Sequence, residues 1–190
     1  KEVCNRVPTE MVFGDKNPAF CADGECFDDI LLDGLPQRLK ALKGDAVIVL
    51  HQKGSHGPAY YKRYPKQYER FTPVCRTSEL QKCSREDIIN AFDNTILYTD
   101  AILAKTIATL QAEPAVASSM IYLSDHGESL GENNMYLHAT PYLLAPDAQK
   151  HIPMLAWFSP DWLQASGMQP ACLQQGSKQK VSQDNLFHSV

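Results

Sequence analysis

Met120-Ile121-Tyr122-Leu123-Ser124, continuing into Asp125-His126-Gly127-Glu128-Ser129-Leu130-Gly131-Glu132, changes character at a single point, from apolar to polar and glycine-bearing. A short, nearly continuous apolar run reads as a buried strand. A loop dense in ligating side chains directly after it reads as a site at the carboxyl end of that strand, where open α/β sheets bind ligands. The same grammar occurs upstream, where Asp45-Ala46-Val47-Ile48-Val49-Leu50 runs into His51-Gln52-Lys53-Gly54-Ser55-His56-Gly57-Pro58. Pro153-Met154-Leu155-Ala156-Trp157-Phe158 supplies a third run of this kind. Between the first two lies a long amphipathic segment, Ser84 to Leu110, with Ile89, Phe92, Ile96, Leu103, Ile107 and Leu110 spaced along one helical face. Ser84 with Asp87 makes a start resembling a capping box, and Pro114 bars continuation. A shorter helix from Pro36 to Lys43, with Gly44 just past its end, precedes the first strand. Helix, strand, long helix, strand, loop, strand is the order of an α/β sandwich with a mainly parallel sheet.

Composition agrees with a globular reading. The 190 residues are 44% hydrophobic and 21% charged, enough apolar material for a core, which excludes a disordered or fibrous chain. A formal net charge of −4 argues against a nucleic-acid partner, since such domains carry a basic excess. No apolar run approaches the roughly 18 to 20 residues that span a bilayer. Residues 1–190 read as one unit, and the lack of an initial Met suggests a piece of something longer.

Six cysteines can form a disulfide set, a metal site or buried thiols. No CxxC pair occurs and no His lies at zinc-finger spacing from a Cys, which argues against structural zinc. Cys21 and Cys26 bracket a turn-forming insert, and Cys75 and Cys83 bracket a polar stretch before the long helix. The preferred reading is two local disulfides and an oxidising compartment. Cys4 and Cys172 then remain, to pair with each other or with cysteines elsewhere.

The chemistry gathers in the loops leaving two strands, which hold four of the six histidines: His51, His56, His126 and His138. Asp125-His126 joins a carboxylate to an imidazole, both good ligands for a zinc-type ion, and Gly127 permits the turn that lets neighbours share one. Glu128 follows directly. Gly54 and Gly57 let the backbone approach a ligand closely, and Ser55-His56-Gly57 offers amide and imidazole donors suited to phosphate oxygens. The bland alternatives are a capping Asp beside a solvated His, and a structural role for His51. His151 and His188 sit in segments without a polar cluster and read as structural or exposed. The run from Tyr60 to Phe71 interleaves aromatic and basic side chains; it could stack bases, face anionic lipid, or pack its rings on the core while its charges stay wet.

Taken together, His51-Gln52-Lys53-Gly54-Ser55-His56-Gly57-Pro58, Tyr61-Lys62-Arg63-Tyr64-Pro65, Asp93-Asn94-Thr95 with Tyr98-Thr99-Asp100, and Ser124 through Glu132 resemble the lipid A phosphoethanolamine transferases, which include mobile colistin-resistance enzymes. Leu137-His138, Pro141-Tyr142, His151-Ile152-Pro153-Met154 and Ser182-Gln183-Asp184-Asn185-Leu186-Phe187 match the same family, so the resemblance runs nearly end to end.

That resemblance implies an alkaline phosphatase/sulfatase-like α/β/α sandwich facing the periplasm and tethered to the bacterial inner membrane by an N-terminal domain. It implies transfer of phosphoethanolamine from phosphatidylethanolamine through a threonine nucleophile to a lipid A phosphate, conferring polymyxin resistance. It assigns zinc to Asp125 and His126, and phosphoethanolamine to His51, His56, Glu128 and His138, with a second zinc near His56 and His138. The family's threonine and glutamate zinc ligand, like its membrane helices, belong to segments preceding Lys1. Residues 1–190 are therefore expected to be the C-terminal part of a catalytic domain, monomeric and incapable of turnover alone. Cys4 matches a family cysteine whose partner lies upstream. Two other classes use the same residues: a phosphatase, phosphodiesterase or sulfatase passing its group to water, and a fragment that only binds metal or lipid.

Overall fold

The computed structural model describes residues 7–12, 18–22, 24–138 and 140–187; Cys4 and His188 lie outside them. Strands β1 (Cys21–Ala22) and β2 (Glu25–Cys26) form a small antiparallel pair closed by the Cys21–Cys26 disulfide. Helix α1 (Leu35–Ala41) follows, with Pro36 in its first turn, where a missing N–H costs nothing. It stops at Leu42, short of the expected Lys43.

Helix α2 (Arg85–Gln111) is the spine. The N–H of Asp87 donates to Ser84 Oγ at 3.1 Å, so the expected cap is present. Just upstream, Cys75 and Cys83 are joined, the second expected disulfide. Both apolar clusters pack on α2: one contains Tyr60, Cys75, Leu80, Ile88 and Ala91, the other Tyr64, Tyr98 and Ile102. The buried stripe differs from the expected one. Ile88, Ala91, Thr95, Tyr98, Ile102 and Thr106 are buried, whereas Ile96 is 49% exposed. Hydrophobicity alone misplaced the stripe because four of its buried residues, Asn94, Thr95, Thr99 and Thr106, are polar.

Strand β3 (Ser119–Leu123) lies where expected, followed by the short pair β4 (Ser129–Leu130) and β5 (Tyr136–Leu137). Helix α3 (Asp147–Lys150) leads into β6 (Met154–Phe158), and α4 (Pro160–Ser166), α5 (Pro170–Gly176) and α6 (Asp184–Phe187) close the order. Helices and sheets mix as the α/β class requires, but β3 pairs with β6 antiparallel, from Ser119↔Phe158 to Leu123↔Met154, and no parallel pair occurs among the described residues. An apolar run identifies a strand without fixing the direction of its neighbour. The run 45–50 is assigned no ladder, and Val47 and Val49 are 74% and 76% exposed. A strand exists only through a partner's N–H and C=O groups, and the described residues offer this run none. No helix among the described residues is long and apolar enough to cross a membrane.

Candidate metal and phosphate site

The loop 51–58 is held from α2 through successive hydrogen bonds. Tyr98 donates to the Asp29 carboxylate and accepts the Asp29 N–H at 3.1 Å, fixing the turn that carries Asp28. Asp28, 8% exposed, accepts the N–H groups of Lys53 and Gly54, both at 2.9 Å. Burial pushes its carboxyl above the ordinary range, against the opposing pull of these two donors. The hydroxyls of Thr95 and Ser55 lie 2.6 Å apart, and Arg63 Nε donates to His56 O at 2.7 Å. Arg63 and Lys53 share Glu25, whose carboxyl is held low by the Lys53 hydrogen bond and by Arg63. Asn94, fully buried, accepts the N–H groups of Arg70 and Phe71 and donates to Phe71 O. Within the aromatic run Tyr60 and Tyr64 pack in the core at 1% and 3% exposed, whereas Phe71 is 44% exposed.

The second loop leaves the end of β3. His126, Glu128 and His138 bring ligand atoms within 4.8 Å of one another, and the His126 and His138 rings stack at 3.8 Å between centroids. His56 joins them from the first loop, its ring centroid 5.3 Å from His138 and 6.3 Å from His126. His51 is exposed and is not among these rings. Glu128 points inward: it is 8% exposed and accepts the Tyr60 hydroxyl and the Gly57 N–H, with His138 Nδ1 at 3.0 Å. Burial first, then the bond to Glu128, raises the Tyr60 phenol far above its usual range, keeping it a donor. Glu128 thus joins the two loops.

Glycine serves this site by close approach. A Cβ on Gly57 would stand 2.5 Å from Leu137 Cδ2 and 2.9 Å from Glu128 Oε2, and one on Gly127 would stand 2.0 Å from Ala148 O. Gly127 was expected for its turn; its place against α3 demands it instead.

One regularity decides what the imidazoles can do. His56 Nδ1 lies 2.7 Å from Gly57 O, His126 Nδ1 lies 3.0 Å from Gly127 O, and His138 Nδ1 faces Glu128. Carbonyls and ionised carboxylates only accept, so each neutral ring carries its proton on Nδ1 and offers the Nε2 lone pair. His126 Nε2 is also 3.7 Å from Asp125 Oδ2, a span that one ion about 2.0–2.2 Å from each atom closes. The Asp125 side chain is 86% exposed, and its Oδ1 accepts the His126 N–H at 3.1 Å. The donor set therefore fits zinc. A cleft of about 210 Å³ opens beside the rings, lined by His126, His138, Thr140, Tyr142, Ala145, Gln149 and Lys150. Sequence reasoning missed Tyr60 as the partner of Glu128, because a tyrosine in an aromatic run carries no mark of its hydroxyl's destination.

Residues 1–190 match the sulfatase family. The phosphoethanolamine transferase EptA of Salmonella typhimurium is 52% identical over 192 residues, covering all of this chain and 35% of that protein. The soluble domain of lipooligosaccharide phosphoethanolamine transferase A from Neisseria meningitidis superposes with a TM-score of 0.92 at 46% identity, over 97% of this chain and 56% of that one. The integral membrane form of that enzyme superposes at 0.90 and 46% identity, over 95% of this chain and 34% of its own. The chain thus spans about a third of the length of the curated relatives it matches.

Proposed function

Because the chain belongs to the sulfatase family, we propose that it is the C-terminal part of a zinc-dependent phosphoethanolamine transferase acting from phosphatidylethanolamine to a lipid A phosphate. The observation that carries this reading is the clustering of His56, His126 and His138, whose ring centroids lie 3.8 to 6.3 Å apart and whose Nδ1 atoms each face a carbonyl or the Glu128 carboxylate, leaving Nε2 as the ligand atom. Support comes also from the phosphoethanolamine transferases it resembles along its whole length.

Asp125 and His126 would hold the ion, with His56 and His138, their ring centroids 5.3 Å apart, close enough to help hold a second. Zinc bound there stabilises charge on phosphoryl oxygens and on an attacking oxygen. The chain's own residues do the rest. Nε2 of His56 and of His138 can take a proton from an attacking or departing group, and once protonated donate to a phosphate oxygen. Glu128 keeps the His138 proton on Nδ1 and stabilises the ring when it charges. The resemblance assigns the phosphoethanolamine to a threonine outside residues 1–190, and a covalent intermediate would divide transfer between two bulky lipids into two steps at one small site.

The two disulfides and the integral membrane relative support a periplasmic face anchored to the inner membrane. Capping a lipid A phosphate with a zwitterion weakens its attraction for cationic peptides, the basis of polymyxin and colistin resistance. Expression of the full-length gene should shift lipid A mass by one phosphoethanolamine. Free phosphoethanolamine released without that shift would assign the protein to the hydrolases. Zinc titration should show affinity lost in Asp125→Ala and His126→Ala, and unchanged affinity in both sinks the metal reading.

A further inference from the structure

The turn that carries Asp125 and His126 is supported by a segment far along the chain. Beyond Leu123 the carbonyls of Ser124 and Asp125 leave the β3 ladder, and both are met by one side chain: Gln183 Nε2 donates to Ser124 O at 3.1 Å and to Asp125 O at 2.6 Å. A primary amide has two N–H groups on one nitrogen, and two successive carbonyls turned the same way use both.

Gln183 is itself positioned. The Ser182 N–H donates to Asn185 Oδ1 at 2.9 Å, the Ser182 hydroxyl lies 3.3 Å from Asp184 Oδ2, and the Leu186 N–H donates to Gln183 O at 3.0 Å. Two further bonds restrain the turn. Ser124 Oγ donates to His126 O at 2.7 Å, and the Gly127 N–H donates to Gln149 O at 3.0 Å. The exposed Asp125 carboxylate is held only locally, by the His126 N–H at 3.1 Å, so the peptide planes on either side of it set its direction. Gln183 holds those planes.

The geometry points to Gln183 as a positioning residue for the metal ligands: a latch from the C-terminal turn that fixes the Asp125 and His126 backbone so that carboxylate and imidazole converge on one ion. This rests on the zinc reading above. Ligands not held to within about half an ångström of productive geometry must be reorganised on binding, and lost support of this kind lowers metal affinity by about 10- to 100-fold.

The test uses the full-length protein and zinc itself, with affinity measured by competition against a chelator and the metal-free unfolding midpoint measured alongside. Gln183→Glu replaces the two donors with an acceptor facing two carbonyls, Gln183→Leu removes them, and Gln183→Lys restores a donor of similar reach. Zinc affinity should fall about 10-fold or more in the Glu and Leu variants and stay within about threefold of wild type in the Lys variant, at a constant metal-free midpoint. Unchanged affinity in Gln183→Glu and Gln183→Leu overturns the latch, as does a loss tracking a lowered midpoint or one that Gln183→Lys does not recover. Asp125→Ala and His126→Ala run in parallel; wild-type affinity in those two condemns the zinc reading rather than the latch alone.

Discussion

The two loops that meet at the histidines are supported differently. Loop 51–71 lies against α2 and is held by buried polar side chains: Asn94, Thr95 and, through Asp29 and Asp28, Tyr98. Loop 124–138 starts at the tip of a two-stranded ladder whose Ile121, Met154 and Leu155 are 36%, 42% and 42% exposed; its first turn is fixed by Gln149, Gln183 and its own Ser124, and only further on do Leu130, Tyr136 and Leu137 reach the core beside α2. The first loop is built on a packed core throughout, whereas the turn that carries Asp125 and His126 leaves a ladder with much of its apolar surface open before β4 and β5 return to that core. A site assembled from both inherits rigidity from one side and depends on a few long-range bonds on the other.

Cutting the joint between them should have the largest effect. Glu128→Ala removes the acceptor shared by Tyr60, Gly57 and His138, and should cost about 4 kcal/mol in denaturant unfolding and lower turnover about 100-fold or more. Wild-type stability in that variant would mean that the loops do not depend on one another. Next comes Asn94→Ala, which strands three backbone groups of residues 70 and 71 and should cost about 3 kcal/mol. Its damage should fall on the helix-braced side, with hydrogen exchange accelerating in 64–71 and not in 124–138.

Gly127→Ala strikes the opposite side. The added methyl collides with Ala148 O, so α3 must move, at about 2 kcal/mol, with exchange rising in 124–150 and staying constant in 51–71. The smallest effect concerns pH. The folded pKa of Glu25 lies below its ordinary value, so the stability it adds is present above about pH 4.5 and is lost as pH falls through the lower folded value. Replacing it by Gln should flatten the acid limb of the unfolding midpoint, and an unchanged slope would remove Glu25 from the support of loop 51–58.

The same contrast explains what could be read from the sequence. Strand β3, helix α2 with its Ser84 cap and both local disulfides were legible because each depends on local pattern or on neighbours in the chain, whereas the approach of His56 to His126 and His138 was legible through the family resemblance and the place of both loops after apolar runs. The antiparallel register of β3 with β6 was not, since pairing direction is a property of two distant segments. Nor was the buried stripe of α2, where Asn94 and Thr95 are interior because loops 70–71 and Ser55 need partners. Asp93-Asn94-Thr95 and Tyr98-Thr99-Asp100 stood out as motifs, yet only coordinates reveal that Asn94, Thr95 and Tyr98 brace the site without touching its cleft. Gln183 was visible as part of a C-terminal motif, but no property of a glutamine announces a bond to residues 124 and 125.

The pairing of Leu123 with Met154 carries one more consequence. Where the last residue of one strand faces the first residue of its neighbour, everything between them is an excursion that begins and ends at the same place. Residues 124–153, with the ligand pair, the inward carboxylate and most of the cleft wall, form such an excursion. Loop-closure entropy grows slowly with length, so the exposed stretch Tyr142 to Leu144 at its far end can gain or exchange residues at little expense to the ladder. The first half is fastened to the rest by Glu128 and by Leu130, Tyr136 and Leu137, so variation in what the cleft accepts falls to that far end.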